Sequence, residues 1–404
     1  MATENNNKTL NVPNKREQSQ TCLSYADRAE QSPQGNVPNL RFPEFSGEWT
    51  KTLLNNYLEE NKERNKRGIF TKNHVLSVSG DFGIVNQIEL LGRSFAGKSV
   101  LDYHVVRTGN IVYTKSPLKE YPYGIVKVNG GVDGIVSTLY AVYKVKETAN
   151  GKFVEYYFGL PNRTNRYFKP IVRIGAKHDM KIGNDEVLAN YVVFPCVDEQ
   201  KRISDFICLL DERIATQIKI IEKLESLIKG LCQKLTQQGN PNTALNEALV
   251  CYSSTLQESS VQEAGGYPFY GATGVCGYTD TPEVDGDSIL IIKDGASVGV
   301  TYYASGKYSA IGTLNRLVAK RGYSLRYLYY CLKVFNFAPY RTGLAIPHIY
   351  FRDYGKAKVW CPSLDEQQRI ADALTKVEQK IAIEKSLLEQ LYSQKRFLLQ
   401  SMFI

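Results

Sequence analysis

The feature that most constrains the fold is a segment that occurs twice, 167 residues apart. Residues 195–205, Pro-Cys-Val-Asp-Glu-Gln-Lys-Arg-Ile-Ser-Asp, recur as residues 362–372, Pro-Ser-Leu-Asp-Glu-Gln-Gln-Arg-Ile-Ala-Asp. The correspondence continues downstream without a gap, to about 40 residues in all. An internal repeat of this length indicates that one structural unit is present twice.

Both copies predict a long α-helix, over residues 198–240 and 365–404. Each begins with an acidic pair suited to a helix start, contains no proline after that start, and carries apolar residues at alternating steps of three and four. This spacing is typical of a coiled-coil seam. The predicted seam consists of Ile203, Ile207, Leu210, Ile214, Gln217, Ile221 and Leu224 in the first copy, and of Ile370, Leu374, Val377, Ile381, Glu384, Leu388 and Leu391 in the second.

Two matching seams in one chain favour an antiparallel coiled coil between the two helices, although a seam for another protein chain stays open as an alternative. A helix of 40 residues is about 60 Å long. Gln217 and Glu384 occupy equivalent positions near the middle of each helix. We therefore predict that they lie close together, within about two helical turns (~11 Å).

The rest of the chain also divides in two. Residues 1–39 are rich in Asn, Gln, Ser and Lys and predict a disordered leader. Residues 40–197 and 241–364 are both rich in Tyr and Gly and contain short β-like runs, such as Ile111–Lys115 and Ser288–Lys293. The expected fold class is α+β: two mixed α/β domains, separated by the two long helices in a pseudo-twofold arrangement.

Composition narrows the classes of function. The net charge is +9, and residues 50–190 contain 21 Lys and Arg against 13 Asp and Glu, so the excess lies mainly there. A basic segment is compatible with nucleic acid. No apolar run is long enough for a membrane span and the N-terminus is polar, so a cytoplasmic protein is expected. The 8 Cys and 4 His lack zinc-site spacing, and no metal is expected.

Enzyme motifs are incomplete in this sequence. Residues 336–340, Asn-Phe-Ala-Pro-Tyr, resemble a methyltransferase motif but lack one proline and a preceding glycine-rich loop. Asp285, Asp287 and Lys293 resemble part of a nuclease site, but Ile291 occupies the position of the required acid. We therefore predict no catalytic residues and a chain that is not itself an enzyme, with a stand-alone modifying enzyme as the least favoured alternative.

DNA binding requires cations for the phosphates and planar or amide side chains for the base edges. Loops of both domains offer such residues. The candidates for DNA contact are Arg93, Lys98, Arg107, Lys115, Arg163, Asn165, Arg166 and Lys169 in the first domain, and Tyr270, Thr273, Lys293, Asn315, Arg316, Arg341 and His348 in the second. Tyr-rich loops suit protein interfaces equally well, so a coiled-coil adaptor without DNA specificity stays open as an alternative.

The order of domain, Asp-Glu-Gln helix, second domain and second such helix resembles the specificity subunit of type I restriction–modification systems. The opening segment Leu40–Trp49 is similar to that family's start of the first domain, and Thr342–Ile349 is similar to its segment that closes a recognition domain. The resemblance covers about residues 40–404.

The resemblance implies more than the residues do. Each target-recognition domain is expected to read one half of a two-part site in double-stranded DNA, with the helices setting the gap. Two methyltransferase subunits are expected to dock on the chain, and restriction–translocase subunits to join for cleavage. S-adenosylmethionine is expected in the methyltransferase partners, and no cofactor in this chain.

Overall fold

The computed structural model describes residues 35–97, 99–117, 121–174, 180–343 and 345–404. The leader predicted over residues 1–39 therefore lies almost entirely outside the described residues. The chain forms two compact units. Unit 1 comprises the described residues up to Asp211 together with Tyr392–Ile404, and unit 2 comprises Glu212–Leu391.

Unit 1 is built from short antiparallel strands with helices packed against them. A four-stranded sheet has the order β2-β9-β6-β7, and two-stranded sheets pair β1 with β12, β3 with β4, β5 with β8, and β10 with β11. The strands are β1 (Thr50–Leu53), β2 (Leu58–Glu60), β3 (Leu76–Ser79), β4 (Gly83–Asn86), β5 (His104–Val106), β6 (Ile111–Thr114), β7 (Val126–Val128), β8 (Gly134–Val136), β9 (Tyr140–Val145), β10 (Arg173–Ile174), β11 (Met180–Lys181) and β12 (Tyr191–Phe194). The helices are α1 (Gln87–Leu91), α2 (Gly151–Tyr157), α3 (Pro161–Phe168) and α4 (Asn184–Leu188).

The core of unit 1 is aromatic. Every residue of β6 is buried, as its run of β-branched and aromatic residues predicts. Tyr113 of this strand stacks on Phe168 of α3 with ring centroids 4.4 Å apart, and Trp49 and Phe153 pack edge to face nearby. Such large side chains contribute most of the apolar area that a small sheet can bury.

Unit 2 contains two four-stranded sheets, ordered β14-β21-β18-β19 and β16-β15-β20-β17, and the pair β13-β22. Its strands are β13 (Thr243–Ala244), β14 (Leu249–Ser253), β15 (Tyr267–Gly271), β16 (Gly274–Thr279), β17 (Val284–Asp285), β18 (Ser288–Ile292), β19 (Thr301–Ala304), β20 (Lys307–Ala310), β21 (Leu314–Ala319) and β22 (Lys358–Val359). Its short helices are α6 (Leu245–Ala248), α7 (Leu325–Lys333) and α8 (Phe351–Tyr354).

Both faces of strand β18 are buried, which accounts for the continuous apolar run Ile-Leu-Ile-Ile in its sequence. Ile289 and Ile291 lie in one core with α7, whereas Leu290 and Ile292 lie in a second core with Phe269. A strand buried on both faces has no polar side to alternate with. The mixed α/β class predicted for the two domains is confirmed.

The two predicted long helices are present as α5 (Val197–Thr236) and α9 (Leu364–Ser401). Helix α5 ends before residue 240 because Gly239 and Pro241 follow, residues that favour termination. All fourteen predicted seam residues are buried or half-buried.

The helices run antiparallel where they meet. In unit 1, Ile203 and Ile207 near the start of α5 share a core with Leu398 near the end of α9. In unit 2, Ile228 near the end of α5 shares a core with Leu374 near the start of α9. Among the described residues, no helix is long and apolar enough to cross a membrane.

Candidate nucleic-acid interface

The glutamine of the first Asp-Glu-Gln segment fastens unit 1 to the start of α5. Gln200 is fully buried. Its Oε1 accepts a hydrogen bond from the backbone N–H of Asn150 at 2.9 Å, and its Nε2 donates to the carbonyl of Pro195 at 2.9 Å. Asn150 is the N-cap of α2, where its side chain accepts from the N–H of Phe153. One amide therefore positions the first turn of α2 against α5.

The second copy repeats this arrangement in unit 2. Gln367 is 2% exposed. Its Oε1 accepts from the N–H of Ser324 at 2.9 Å, and its Nε2 donates to the carbonyl of Pro362 at 2.9 Å. Ser324 is the N-cap of α7. The recurring glutamine is thus a clamp between each unit and its own long helix, which we call the glutamine clamp.

A second pair of repeat-related residues, Asp211 and Glu378, binds tyrosines of the two units. Asp211 accepts from Tyr156 at 2.8 Å and pairs with Lys395 at 2.5 Å. Glu378 accepts from Tyr330 at 2.8 Å and pairs with Lys333. Burial, then the hydrogen bond with Cys208 and the charge of Asp211, raises the pKa of Tyr156, so this hydroxyl keeps its proton.

The opening segment 40–49 contributes a further contact to the start of α5. Arg41 donates twice to the carboxylate of Glu199, at 2.8 and 2.7 Å, and the indole N–H of Trp49 lies 3.3 Å from the same group. Glu199 is 1% exposed, so this bidentate pair satisfies a buried charge. The segment 40–49, which resembles the family's start of the first domain, therefore has a structural role: it anchors the N-terminal part of unit 1 to the first turn of α5.

The polar residues of the seam, Gln217 and Glu384, are in direct contact. Nε2 of Gln217 donates to Oε2 of Glu384 at 2.5 Å and to the carbonyl oxygen of Glu384 at 3.1 Å, which confirms the predicted proximity. Lys380, one turn before Glu384 on α9, pairs with the same carboxylate.

The predicted DNA-contact residues of unit 1 differ in accessibility. Arg93 is exposed above the ring of Phe95, 4.6 Å from its centroid. Arg166 and Lys169 are exposed, Asn165 is half-buried, and Lys98 lies outside the described residues. Arg107 is held by Glu63 at 2.6 Å and Asp133 at 3.0 Å. Lys115 is half-buried and donates to the carbonyl of Ile182 and to Asn184.

Arg163, a predicted DNA-contact residue, makes structural contacts inside unit 1. Its guanidinium is turned inward and donates to the carbonyls of Leu399 and Phe403 at 3.0 and 3.1 Å. It lies over the ring of Phe403, 5.3 Å from the centroid. Burial lowers the pKa of Arg163 to about 10. The side chain caps the end of α9, where a cation satisfies free carbonyls, so a structural contact accounts for this charge.

In unit 2, Asn315, also a predicted DNA-contact residue, faces the interior. This residue is 6% exposed on β21, and its Oδ1 accepts from Ser253 at 3.0 Å. Its neighbour Arg316 points the other way across the strand and stacks on Tyr252, 4.3 Å from the ring centroid.

The other candidates of unit 2 stay accessible in part. Thr273 and Arg341 are exposed, and Tyr270 and Lys293 are half-buried. Arg341 also donates to the carbonyl of Val298 at 3.2 Å. His348 Nδ1 lies 2.7 Å from Asp294 Oδ1, which ties the 341–349 loop to the turn after β18.

The candidate DNA-contact residues predicted from the sequence do not include one basic segment of unit 1. Residues 61–72, Asn-Lys-Glu-Arg-Asn-Lys-Arg-Gly-Ile-Phe-Thr-Lys, which we call the basic loop, carry five cations and one carboxylate. The density of charge was visible in the sequence, but the segment has no turn motif or repeat partner to draw attention to it. Among the described residues, no group of three His, Cys, Asp or Glu side chains could hold a metal ion.

Two sheet-containing units, each clamped to the start of a long helix by an equivalent glutamine, define a duplicated scaffold with an antiparallel helix pair. Comparisons with known proteins show which class of protein it resembles. Residues 252–393 match the family described as "Type I restriction modification DNA specificity domain". A Haemophilus influenzae protein named as a type I restriction enzyme specificity subunit is 28% identical over 124 residues, which are 29% of this chain and 32% of that relative's length.

Solved structures extend the likeness to nearly the whole chain. The crystal structure of a type I restriction–modification S subunit from M. genitalium has a TM-score of 0.60 at 17% identity, covering 91% of this chain and 99% of that one. A chain from a structure of type I R-M complex assembly and conformational transition has a TM-score of 0.53 at 16% identity, with the same coverage. The resemblance to type I specificity subunits is therefore confirmed at two levels: the chain has the fold of the solved S subunits, and residues 252–393 match the family's DNA specificity domain.

Proposed function

We propose that the chain is the specificity subunit of a type I restriction–modification complex and reads a two-part site in double-stranded DNA, one part with each unit. The glutamine clamp carries the proposal. Gln200 and Gln367 hold equivalent capped helices against equivalent helix starts, so unit 1 is built like unit 2, to which the DNA specificity domain is matched.

The long helices then act as a spacer. Two related reading units joined by an antiparallel helix pair acquire a pseudo-twofold axis, and duplex DNA has matching local dyads. In this proposal the length of the paired helices sets the number of base pairs between the two half-sites. The chain would act in the cytoplasm, where the DNA of the cell is accessible.

Catalysis is assigned to partner subunits. Two methyltransferase subunits that use S-adenosylmethionine would dock on the scaffold, and restriction–translocase subunits would join for cleavage. Apolar side chains exposed on the long helices support docking there: Leu209 is 64% exposed, Leu227 50%, Ile383 62% and Phe397 60%. Exposed apolar residues on a soluble helix often mark a protein interface.

The proposal is tested by co-expressing the chain with the methyltransferase subunits from the same genome and mapping the methylated bases. We expect methylation of a two-part site, lost when either half is scrambled. Arg341→Gln should weaken binding or relax the half-site read by unit 2, whereas Arg321→Gln, also exposed in unit 2, should change neither. Capture of methyltransferase without any DNA preference would support a protein adaptor instead. Methyl transfer by the chain alone would contradict its non-catalytic role.

A further inference from the structure

The basic loop, residues 61–72, is an exposed segment of unit 1 with a large excess of positive charge. Its cations are Lys62, Arg64, Lys66, Arg67 and Lys72, and all five are exposed. Glu63 is the single carboxylate in the segment, so the net charge of these twelve residues is +4 (five minus one). A local excess of this size attracts an anionic partner.

The backbone of the basic loop is fixed to the neighbouring strand β5. The N–H of Val105 donates to the carbonyl of Glu63 at 3.0 Å, the N–H of Asn65 donates to the carbonyl of Tyr103 at 3.0 Å, and Arg64 forms a β-bridge with His104. The loop therefore extends the strand pairing, and its side chains project from an ordered backbone.

A buried amide closes the turn of the loop. Asn65 is 3% exposed, its Nδ2 donates to the carbonyl of Phe70 at 2.7 Å, and its Oδ1 accepts from the N–H of Phe70 at 3.0 Å. A second bond from Nδ2 reaches the carbonyl of Val100 at 3.2 Å. Because the turn is already ordered, binding a ligand there costs little backbone entropy.

Part of the charge is neutralised inside the unit, and part is free. Lys66 pairs with Asp102, and the Glu63 carboxylate is occupied by Arg107. Arg64 donates to the carbonyl oxygen of Asp102 at 3.0 Å, which leaves its charge without a paired carboxylate in the described segments. Within the described part of the chain, Lys62, Arg67 and Lys72 have no hydrogen-bond or ion-pair partner, so their charge is available for a partner outside the protein.

One of these free cations, Arg67, borders a concavity. A cavity of about 380 Å³ is lined by Arg64 and Arg67, by the ion pair of Arg107 with Glu63, and by Ile69 and Phe70. Guanidinium groups at the edge of a concave surface can donate two parallel hydrogen bonds to one phosphate. Ile69 is 66% exposed beside them.

We propose that the basic loop binds the sugar–phosphate backbone of DNA, and that it sets the affinity and placement of unit 1 and not its base preference. The inference rests on the proposed function, that the chain binds DNA. We expect the basic loop to bind phosphates and not base edges, because its side chains without a partner, Lys62, Arg67 and Lys72, are all cations. The amide of Asn65 is of the type that binds an adenine edge, but its side chain already hydrogen-bonds to the backbone of Phe70.

The test compares two double variants in the complex with the methyltransferase subunits. One is Arg64→Gln with Arg67→Gln. The control is Lys51→Gln with Lys144→Gln, which removes the same charge from exposed positions of the same unit. Dissociation constants for a duplex with the mapped site and for an unrelated duplex are measured by fluorescence anisotropy across a salt series, after thermal melts show that the variants are folded.

We expect the loop variant to lose at least about tenfold in affinity for both duplexes at low salt, and its slope of log K against log salt to fall by about 2. The ratio of specific to unrelated binding should stay the same, and the control should resemble the unchanged complex. An unaltered slope, an equal effect in the control, or a loss confined to the specific duplex would each overturn the inference. If the unchanged complex fails to bind DNA at all, the proposed function fails, and this inference with it.

Discussion

Gln217 and Glu384, the one a repeat equivalent of the other, form a direct hydrogen bond of 2.5 Å between the two long helices. In an antiparallel pair of repeated helices, equivalent positions run in opposite directions. A residue can therefore contact its own equivalent only at the midpoint of the pair, on the pseudo-twofold axis. The contact therefore fixes the register of α5 against α9. An amide opposite a carboxylate forms this bond, whereas two carboxylates would repel.

The first prediction concerns this pair. Gln217→Glu should lower the melting temperature at pH 7, because it places two carboxylates in contact within the seam, and it should regain much of the loss in acid. The amide variant Glu384→Gln keeps a polar pair and should be tolerated far better. Thermal unfolding of both variants from pH 4 to 8 measures this. Equal melting temperatures for the two variants at pH 7 would contradict the role of the pair.

The same carboxylate gives a pH dependence. The hydrogen bond from Lys380, then that from Gln217, holds the pKa of Glu384 below its ordinary value. A lowered pKa means that the stabilisation is present above the ordinary value and is lost as the pH falls through the folded one. The stability difference between the unchanged protein and Glu384→Gln should therefore shrink in acid, and a constant difference would be inconsistent with this coupling.

The glutamine clamp should be local to each unit. Gln200→Ala leaves the partly buried N–H of Asn150 without its acceptor, at a cost of about 1–3 kcal/mol. Hydrogen exchange should accelerate in α2 and not in α7, and Gln367→Ala should show the reverse. Gln390→Ala, exposed on α9, is the matched control and should change stability by less than about 0.5 kcal/mol. Equal acceleration in both units after either substitution would argue against two independent clamps.

Arg163 should matter for stability and not for DNA. Arg163→Ala removes the donor to the carbonyls of Leu399 and Phe403 and should cost about 2 kcal/mol. Affinity for DNA per folded molecule should stay unchanged. The exposed neighbour Arg166 offers the control, because Arg166→Ala should leave the stability almost unaltered. A stable Arg163→Ala variant with weaker DNA binding would restore the contact that the sequence suggested.

His104 should destabilise unit 1 in acid. It is 1% exposed, its Nδ1 has no hydrogen-bond partner among the residues that the structure describes, and burial followed by the charge of Arg64 lowers its pKa from 6.5 to about 4. The neutral form is favoured in the folded state, so stability is full above pH 6.5 and falls by about 3 kcal/mol as the pH approaches 4. Denaturant unfolding at several pH values measures the loss. His104→Leu should remove this part of the pH dependence, and an unchanged pH profile in that variant would exclude His104 as its source.

The sequence by itself determined the periodic and repeated features of this protein. The 167-residue repeat, the apolar steps of three and four, and the apolar runs of β6 and β18 predicted the long helices, their seam and two central strands. These predictions succeed because helix and strand periodicity is local and follows from burying one face or both. The proximity of Gln217 and Glu384 followed from symmetry alone.

Only the tertiary structure decided the role of single polar side chains. Arg163 and Arg166 lie on the same short helix, yet one caps α9 and the other faces solvent. The glutamine of the repeat became a clamp only when the N-caps of α2 and α7 were brought to it from distant parts of the chain. The destination of a hydrogen-bond donor depends on long-range packing, and sequence periodicity carries no information about which carbonyl it will meet.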